Sequence, residues 1–189
     1  MEIGKRLYVF TREEWRAWLE NHHASEPEIW LVYYKKASGK PRVAYGDAVE
    51  EALCFGWIDS TLKPIDDMCY AQRYSPRRPK SGLSELNRER VRRMIAQGKM
   101  TPHGIEKIRH HLDTKKKSLP KTFDPPKDIL DALREDPQTW SHFRKFPQHY
   151  RDIRVAWVDA ARHRPELFAQ RLRYLLKMTK ANKMYGMMR

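Results

Sequence analysis

Aliphatic side chains are scarce in this sequence: Leu, Ile, Val and Phe make up about a fifth of its 189 residues. Combined with a formal net charge of +14, that scarcity borders on the composition of chains that do not fold. Six Trp, nine Tyr and eight Met offset the deficit, so a packed core remains within reach. No apolar run approaches the roughly 18 residues that a membrane-spanning helix needs. The opening MEIGKRLYVF has neither the apolar stretch nor the small-residue cleavage site of a signal peptide. The only cysteines, Cys54 and Cys69, form neither a CxxC nor a disulfide framework. These features lead us to expect a cytoplasmic protein in a reducing compartment. No glycine-rich phosphate loop of the Walker or dinucleotide type is present, and no cofactor is expected.

Acidic residues are concentrated in the first third of the chain. Residues 1–67 carry a net charge of −3, residues 68–125 of +10 and residues 126–189 of +7. Such an asymmetry suits an anionic small molecule or a phosphate-bearing ligand, although a merely basic, solvated surface would look the same.

Local signals divide the chain into elements. Thr11 and Glu14 form a capping box that opens a helix, Phe10 is placed to staple onto Trp15, and Trp15, Trp18 and Leu19 share a face. Ile29–Lys36 reads as a strand buried on both sides. A second helix over Ala44–Phe55 ends at Gly56, a left-handed cap. Trp57–Ser60 and Tyr70–Ser75 read as strands joined by a turn at Ile65–Met68. Arg77–Gly82 is a loop, Ser84 caps the next helix, and Thr101-Pro102 starts another. Residues 114–125, rich in Lys and Pro, read as a linker. Helices then open at Pro126, Asp136-Pro137, Pro147 and Arg164-Pro165. Leu167, Phe168, Leu172, Leu175 and Leu176 form one stripe of the last, and a frayed tail follows from Lys177. The expected architecture is an α+β domain over 1–113, with a small sheet flanked by helices, and an all-α helical module over 126–189.

The segment Tyr70–Asn87 carries the most chemical information. Arg73, Arg77, Arg78 and Lys80 lie on a strand end and a Pro-stiffened loop that runs into a helix start. A helix N-terminus has unpaired amide donors, and Arg binds phosphate or carboxylate bidentately. Ser81, Ser84 and Asn87 would add neutral donors, and Lys36 and Asp59 are expected nearby. The plainer reading is that Ser84 only caps and the arginines are solvated. For Asp59 two roles are open, an ion-pair partner orienting Arg73 or Arg77 and a general base. The first is favoured because a carboxylate beside arginines is ionised and weakly basic.

Other candidates read as structural. Cys54 sits in an apolar helix end with no thiolate-stabilising neighbour, so it is expected in the core. On a helix the adjacent pairs His22-His23 and His110-His111 would point about 100° apart, and no metal site is expected. Arg88, Arg90, Arg92 and Arg93 could track a nucleic-acid backbone. Glu85 and Glu89, spaced to pair with Arg88 and Arg93, weaken that reading.

The blocks Glu50–Asp59 (EEALCFGWID) and Gln72–Ser81 (QRYSPRRPKS), with Gly98–Pro102 and the C-terminal Phe146-Pro147…Trp157-Val158…Lys180 pattern, resemble the YdeI/OmpD-associated family, also labelled bacteriocin-protection proteins. The resemblance implies a small bacterial cytoplasmic stress or protection protein, without an assigned reaction. The family usually has Trp where this chain has Leu83, so a stacking surface is missing there. The expected function is anion binding by a protein that is not an enzyme. The alternatives are an enzyme acting on an anionic substrate with Asp59 as base, or a protein or nucleic-acid interaction module.

Overall fold

The computed structural model describes residues 2–79, 81–112 and 123–186. The chain divides into two compact units, one drawn from Met1–Gly82 and Arg90–Pro120, the other from Leu83–Glu89 and Lys121–Arg189. The expected linker at 114–125 lies mostly outside the described residues.

The first unit is built on a four-stranded sheet. Its strands are β1 (Arg6–Leu7), β2 (Ile29–Tyr34), β3 (Trp57–Pro64) and β4 (Cys69–Pro76), in the order β1-β2-β4-β3. β1, too short to show a sequence period, pairs parallel with β2; the other pairings are antiparallel. The β3–β4 turn forms because Asp66 Oδ1 accepts the amides of Met68 and Cys69 at 2.7 and 2.8 Å, an Asx-type turn. Alternation along β4 places Tyr70, Gln72 and Tyr74 on one face and Ala71, Arg73 and Ser75 on the other.

Helices α1 (Arg12–His22) and α2 (Tyr45–Cys54) pack on the Tyr74 face. The α1 capping box forms as expected: Thr11 Oγ1 accepts the Glu14 amide, and the Glu14 carboxylate accepts the Thr11 amide. Trp15 is fully buried, stacked on Trp18, with its indole N–H donating to Ala48 O at 2.9 Å. The staple differs from expectation, because Phe10 stays 46% exposed with its ring against Tyr8.

Two carboxylates of α2 are buried, which its apolar spacing does not announce. Glu51 takes Arg12 Nε at 2.5 Å and Arg16 Nη1 at 2.7 Å, and Glu50 takes Arg12 and Arg93. Gly56 ends α2 in the left-handed region (φ 73°). Helix α4 (Pro102–Ile108) docks against that end: Thr101 N and Oγ1 both donate to Cys54 O, and an added Cβ on Gly104 would lie 2.0 Å from that oxygen.

The second unit holds α5 (Lys127–Arg134), α6 (Pro137–Lys145), α7 (Gln148–Asp159) and α8 (Pro165–Lys180), with the first turn of α3 (Glu85–Ala96). Asp136 caps α6 through the amide and hydroxyl of Thr139. Ile129, Leu133, Phe143, Phe146, Tyr150, Val155, Val158 and Leu175 form the core, with Phe123, Trp157, Phe168, Leu172 and Leu176 packed against it. Leu167, expected on the same stripe, instead lines a surface groove with Glu166 and Arg173.

The expected fraying after Lys177 does not occur within the described residues. α8 continues to Lys180, Asn182 turns left-handed (φ 53°), and Lys183 N bonds back to Met178 O at 2.9 Å. Tyr185 then folds onto Tyr150, whose hydroxyl accepts the Tyr185 amide at 3.1 Å. No helix among the described residues is long and apolar enough to cross a membrane.

Candidate functional site

Sheet register decides which of the expected site residues can meet. Asp59 pairs with Tyr74, whereas Arg73 pairs with Trp30 on the opposite face. Asp59 therefore does not orient Arg73, contrary to the expectation from sequence. Arg73 binds Glu28 through Nη2 (2.6 Å) and Nε (2.7 Å) and reaches Ser60 Oγ at 3.2 Å. Glu28 is held below the usual carboxylate range, chiefly by the Arg73 hydrogen bond and secondarily by that of Trp30.

On the other face, Asp59 Oδ2 accepts the Tyr45 hydroxyl at 2.5 Å. Burial, reinforced by Asp59, pushes the Tyr45 phenol well above its ordinary range. Arg90, only 6% exposed, is held below its ordinary value by burial, while Tyr45, Glu50 and Asp59 oppose that shift electrostatically. Tyr33 and Tyr74 share a buried hydroxyl–hydroxyl bond of 3.0 Å close by, and burial raises both phenols.

Arg77 is the most unusual of the expected site residues. Its backbone N–H donates to Gly56 O at 2.9 Å, which anchors it where β4 ends. Its side chain is 4% exposed and turns back on its own loop, with Nη2 at 2.7 Å from Gly82 O and 3.3 Å from Ser81 O. Nε is buried without a hydrogen-bond partner, and so is the Ser81 hydroxyl. Among the described residues no carboxylate pairs with Arg77, and burial alone moves its guanidinium below the ordinary value.

His110 and His111 add to the same turn. These two lie on a 3₁₀ turn (Arg109–His111), where neighbours diverge by about 120°, yet their ring centroids are 4.0 Å apart because both rings turn to one distant carbonyl, which sequence spacing does not reveal. Their Nε2 atoms approach the Ser81 carbonyl oxygen at 3.4 and 3.1 Å. Three donor-capable groups thus converge on one carbonyl, which has only two lone pairs. The turn is rich in donors and poor in acceptors.

Of the remaining expected residues, Arg78 belongs to the same turn, its carbonyl accepting the Ser81 amide at 3.2 Å. Arg78 is exposed on the loop, and Lys80 lies outside the described residues. Lys36 begins a 3₁₀ turn just after β2 reaches Tyr34, which pairs with Cys69, so it belongs to the end of the sheet away from Arg77. Ser84 and Asn87 belong to the second unit. There Ser84 Oγ accepts the Asn87 amide at 3.3 Å, the capping role weighed against ligand binding. Leu83 is buried. Arg88 approaches Glu85 at 3.8 Å, while Arg93 turns to Glu50 on α2.

Cys54 is a core residue as expected, and burial pushes its thiol up to about 12, so it is no nucleophile at neutral pH. His22 and His23 donate through Nδ1 to the carbonyls of Trp18 and Leu19, both at 2.8 Å, and His23 meets His103 edge to face. No group of three or more His, Cys, Asp or Glu among the described residues could hold a metal ion.

Two family models match the sequence. Residues 7–107, which include both EEALCFGWID and PRRPKS, match one described as a domain of unknown function, DUF8412. Residues 122–182 match one described as Bacteriocin-protection, YdeI or OmpD-Associated. No curated protein and no solved structure matches the chain. The chain therefore belongs to the DUF8412 family, whose model matches more than half its length, and residues 122–182 are similar to the bacteriocin-protection, YdeI or OmpD-associated family.

Proposed function

We propose that this protein is a binding protein for an oxyanion, a phosphate or carboxylate group, in a bacteriocin-protection or stress setting, with Arg77 as the receptor. The observation that carries the reading is an arginine 4% exposed, with no carboxylate partner among the described residues and an unpartnered Nε, beside an unpartnered Ser81 hydroxyl. A buried cation without a counter-charge is unfavourable, and an anion accepting from Nε–H and Ser81 O–H supplies what the turn lacks. The basic net charge of residues 68–125, +10, would draw anions towards it. The rival reading, Asp59 as a general base, has less support because Tyr45 already occupies Oδ2.

Thermal-shift and calorimetric titrations with inorganic phosphate, citrate and acetate test the proposal against chloride of matched ionic strength. A ligand at 100 times its Kd should raise stability by about 2.7 kcal/mol. Arg77→Gln should abolish the response, but it also removes the carbonyl bonds that hold the loop. Ser81→Ala removes only an unpartnered hydroxyl, so it should leave the fold intact and weaken binding about tenfold. A protein that responds to no anion beyond the chloride control, or a Ser81→Ala variant that binds as the parent does, refutes the reading.

A further inference from the structure

The helical unit contains a second buried arginine that has an unpartnered Nε and no carboxylate partner among the described residues. Arg154, on α7, is 7% exposed. Its Cζ lies 5.5 Å from the Tyr150 ring centroid and 4.9 Å from that of Tyr185. Ring faces offset part of the cost of burying the charge, but they provide no carbonyl or carboxylate for its N–H groups. Nε is buried without a hydrogen bond, and among the described residues Arg154 enters no ion pair. The buried hydroxyl of Tyr185 likewise has no acceptor for its proton, while the Arg154 guanidinium lies close enough to act on its oxygen as a donor. One turn earlier on the same helix, Arg151 donates to Gln148, but its Nε is also buried and unpartnered.

The C-terminal end of the chain closes this arrangement. Left-handed Asn182 reverses the backbone after α8, so that Tyr185 lies against Tyr150, Trp157 and Tyr174. Gly186 (φ 85°) then passes so close that an added Cβ would lie 2.7 Å from Arg154 Nη1. Burial pushes the Tyr185 phenol up to about 12 while Arg154 opposes the shift, so the hydroxyl keeps its proton as a donor at neutral pH.

We propose that Arg154 and the Tyr185 hydroxyl form an oxyanion site in the helical unit, separate from Arg77 and taking a carboxylate or a phosphate monoester. The guanidinium supplies in-plane, bidentate-capable donors, the phenol adds a neutral one, and the surrounding rings exclude water and strengthen both. The net charge of +7 on residues 126–189 favours anion capture there.

The test is a titration of the full-length protein with inorganic phosphate and, separately, with acetate, following the Arg Nε–Hε NMR signals against a chloride control. The Arg154 signal should move saturably with at least one of the two. Response to phosphate alone identifies a phosphate site, and response to both an oxyanion site that accepts carboxylates. Tyr185→Phe keeps the rings and removes the hydroxyl, and it should weaken binding about tenfold. Arg154→Gln should abolish saturable binding at this site. Repeating the titration in Arg77→Gln keeps the two sites distinguishable, because the Arg154 response should persist there. An Arg154 signal that does not move with either anion, or an affinity unchanged by Tyr185→Phe, overturns the proposal.

Discussion

Replacing Glu51 by Gln tests how the helical layer over the sheet is held. The Glu51 side chain is 2% exposed and accepts from both Arg12 and Arg16. Burial opposes the charge on both guanidiniums, yet the hydrogen bond and charge of Glu51 outweigh it, so both arginines lie above their ordinary values. Removing one partner of a buried ion pair costs about 3–5 kcal/mol when the other is left uncompensated. Here compensation is partial, because Arg12 keeps Asp47 and Glu50 and Arg16 keeps Glu20. The expected loss is therefore about 2–3 kcal/mol, just below that range. For a chain of this size it lowers Tm by about 5–10 °C. Urea unfolding with linear extrapolation and thermal unfolding by circular dichroism measure it. The exposed Arg16–Glu20 pair serves as control: Glu20→Gln should cost less than about 0.5 kcal/mol. If Glu51→Gln costs no more than Glu20→Gln, the buried network does not hold these helices together.

Two further substitutions have definite expected outcomes. Gly104→Ala would force a Cβ to within 2.0 Å of Cys54 O and break the Thr101 bonds to that oxygen, at a cost of about 2–3 kcal/mol. Gly46→Ala, in α2 with open space around it, should be neutral or stabilising by up to about 1 kcal/mol; equal effects in chemical denaturation would refute the steric account. The Arg73–Glu28 pair should respond to acid. Glu28 titrates below its ordinary 4.5 in the folded chain, so its contribution is present above that pH and lost as pH falls through the lowered value. The destabilisation caused by Arg73→Met should thus be full at pH 7 and shrink as pH falls below 4.5 and through the lowered Glu28 value. A penalty that is independent of pH would mean the pair contributes through packing alone.

Signals confined to one turn of chain are legible in the residues themselves. The Thr11–Glu14 box, left-handed Gly56, the Thr101-Pro102 start and the Asp136 cap each depend on neighbours within four residues, and each forms. Arg77 and Ser81 are legible too, because a loop crowded with cations and proline is visible as such. Errors arise where spacing in sequence has to stand for spacing in space. Asp59 and Arg73 look like partners along the chain, and His110 and His111 look divergent because the carbonyl both rings turn to, that of Ser81, lies 29 and 30 residues away in sequence.

The sequence by itself therefore determined the helix starts, the α+β and all-α division and the region of excess positive charge, all set by local backbone preference and composition. Tertiary structure decided which charges are paired. Antiparallel register sent Arg73 to Glu28 and left Asp59 with Tyr45 on the other face. Helix packing matched Glu50 and Glu51 to Arg12, Arg16 and Arg93. Arg77 and Arg154 are without a carboxylate among the described residues. Coulomb attraction is settled at a few ångströms, and only the folded chain sets distances on that scale.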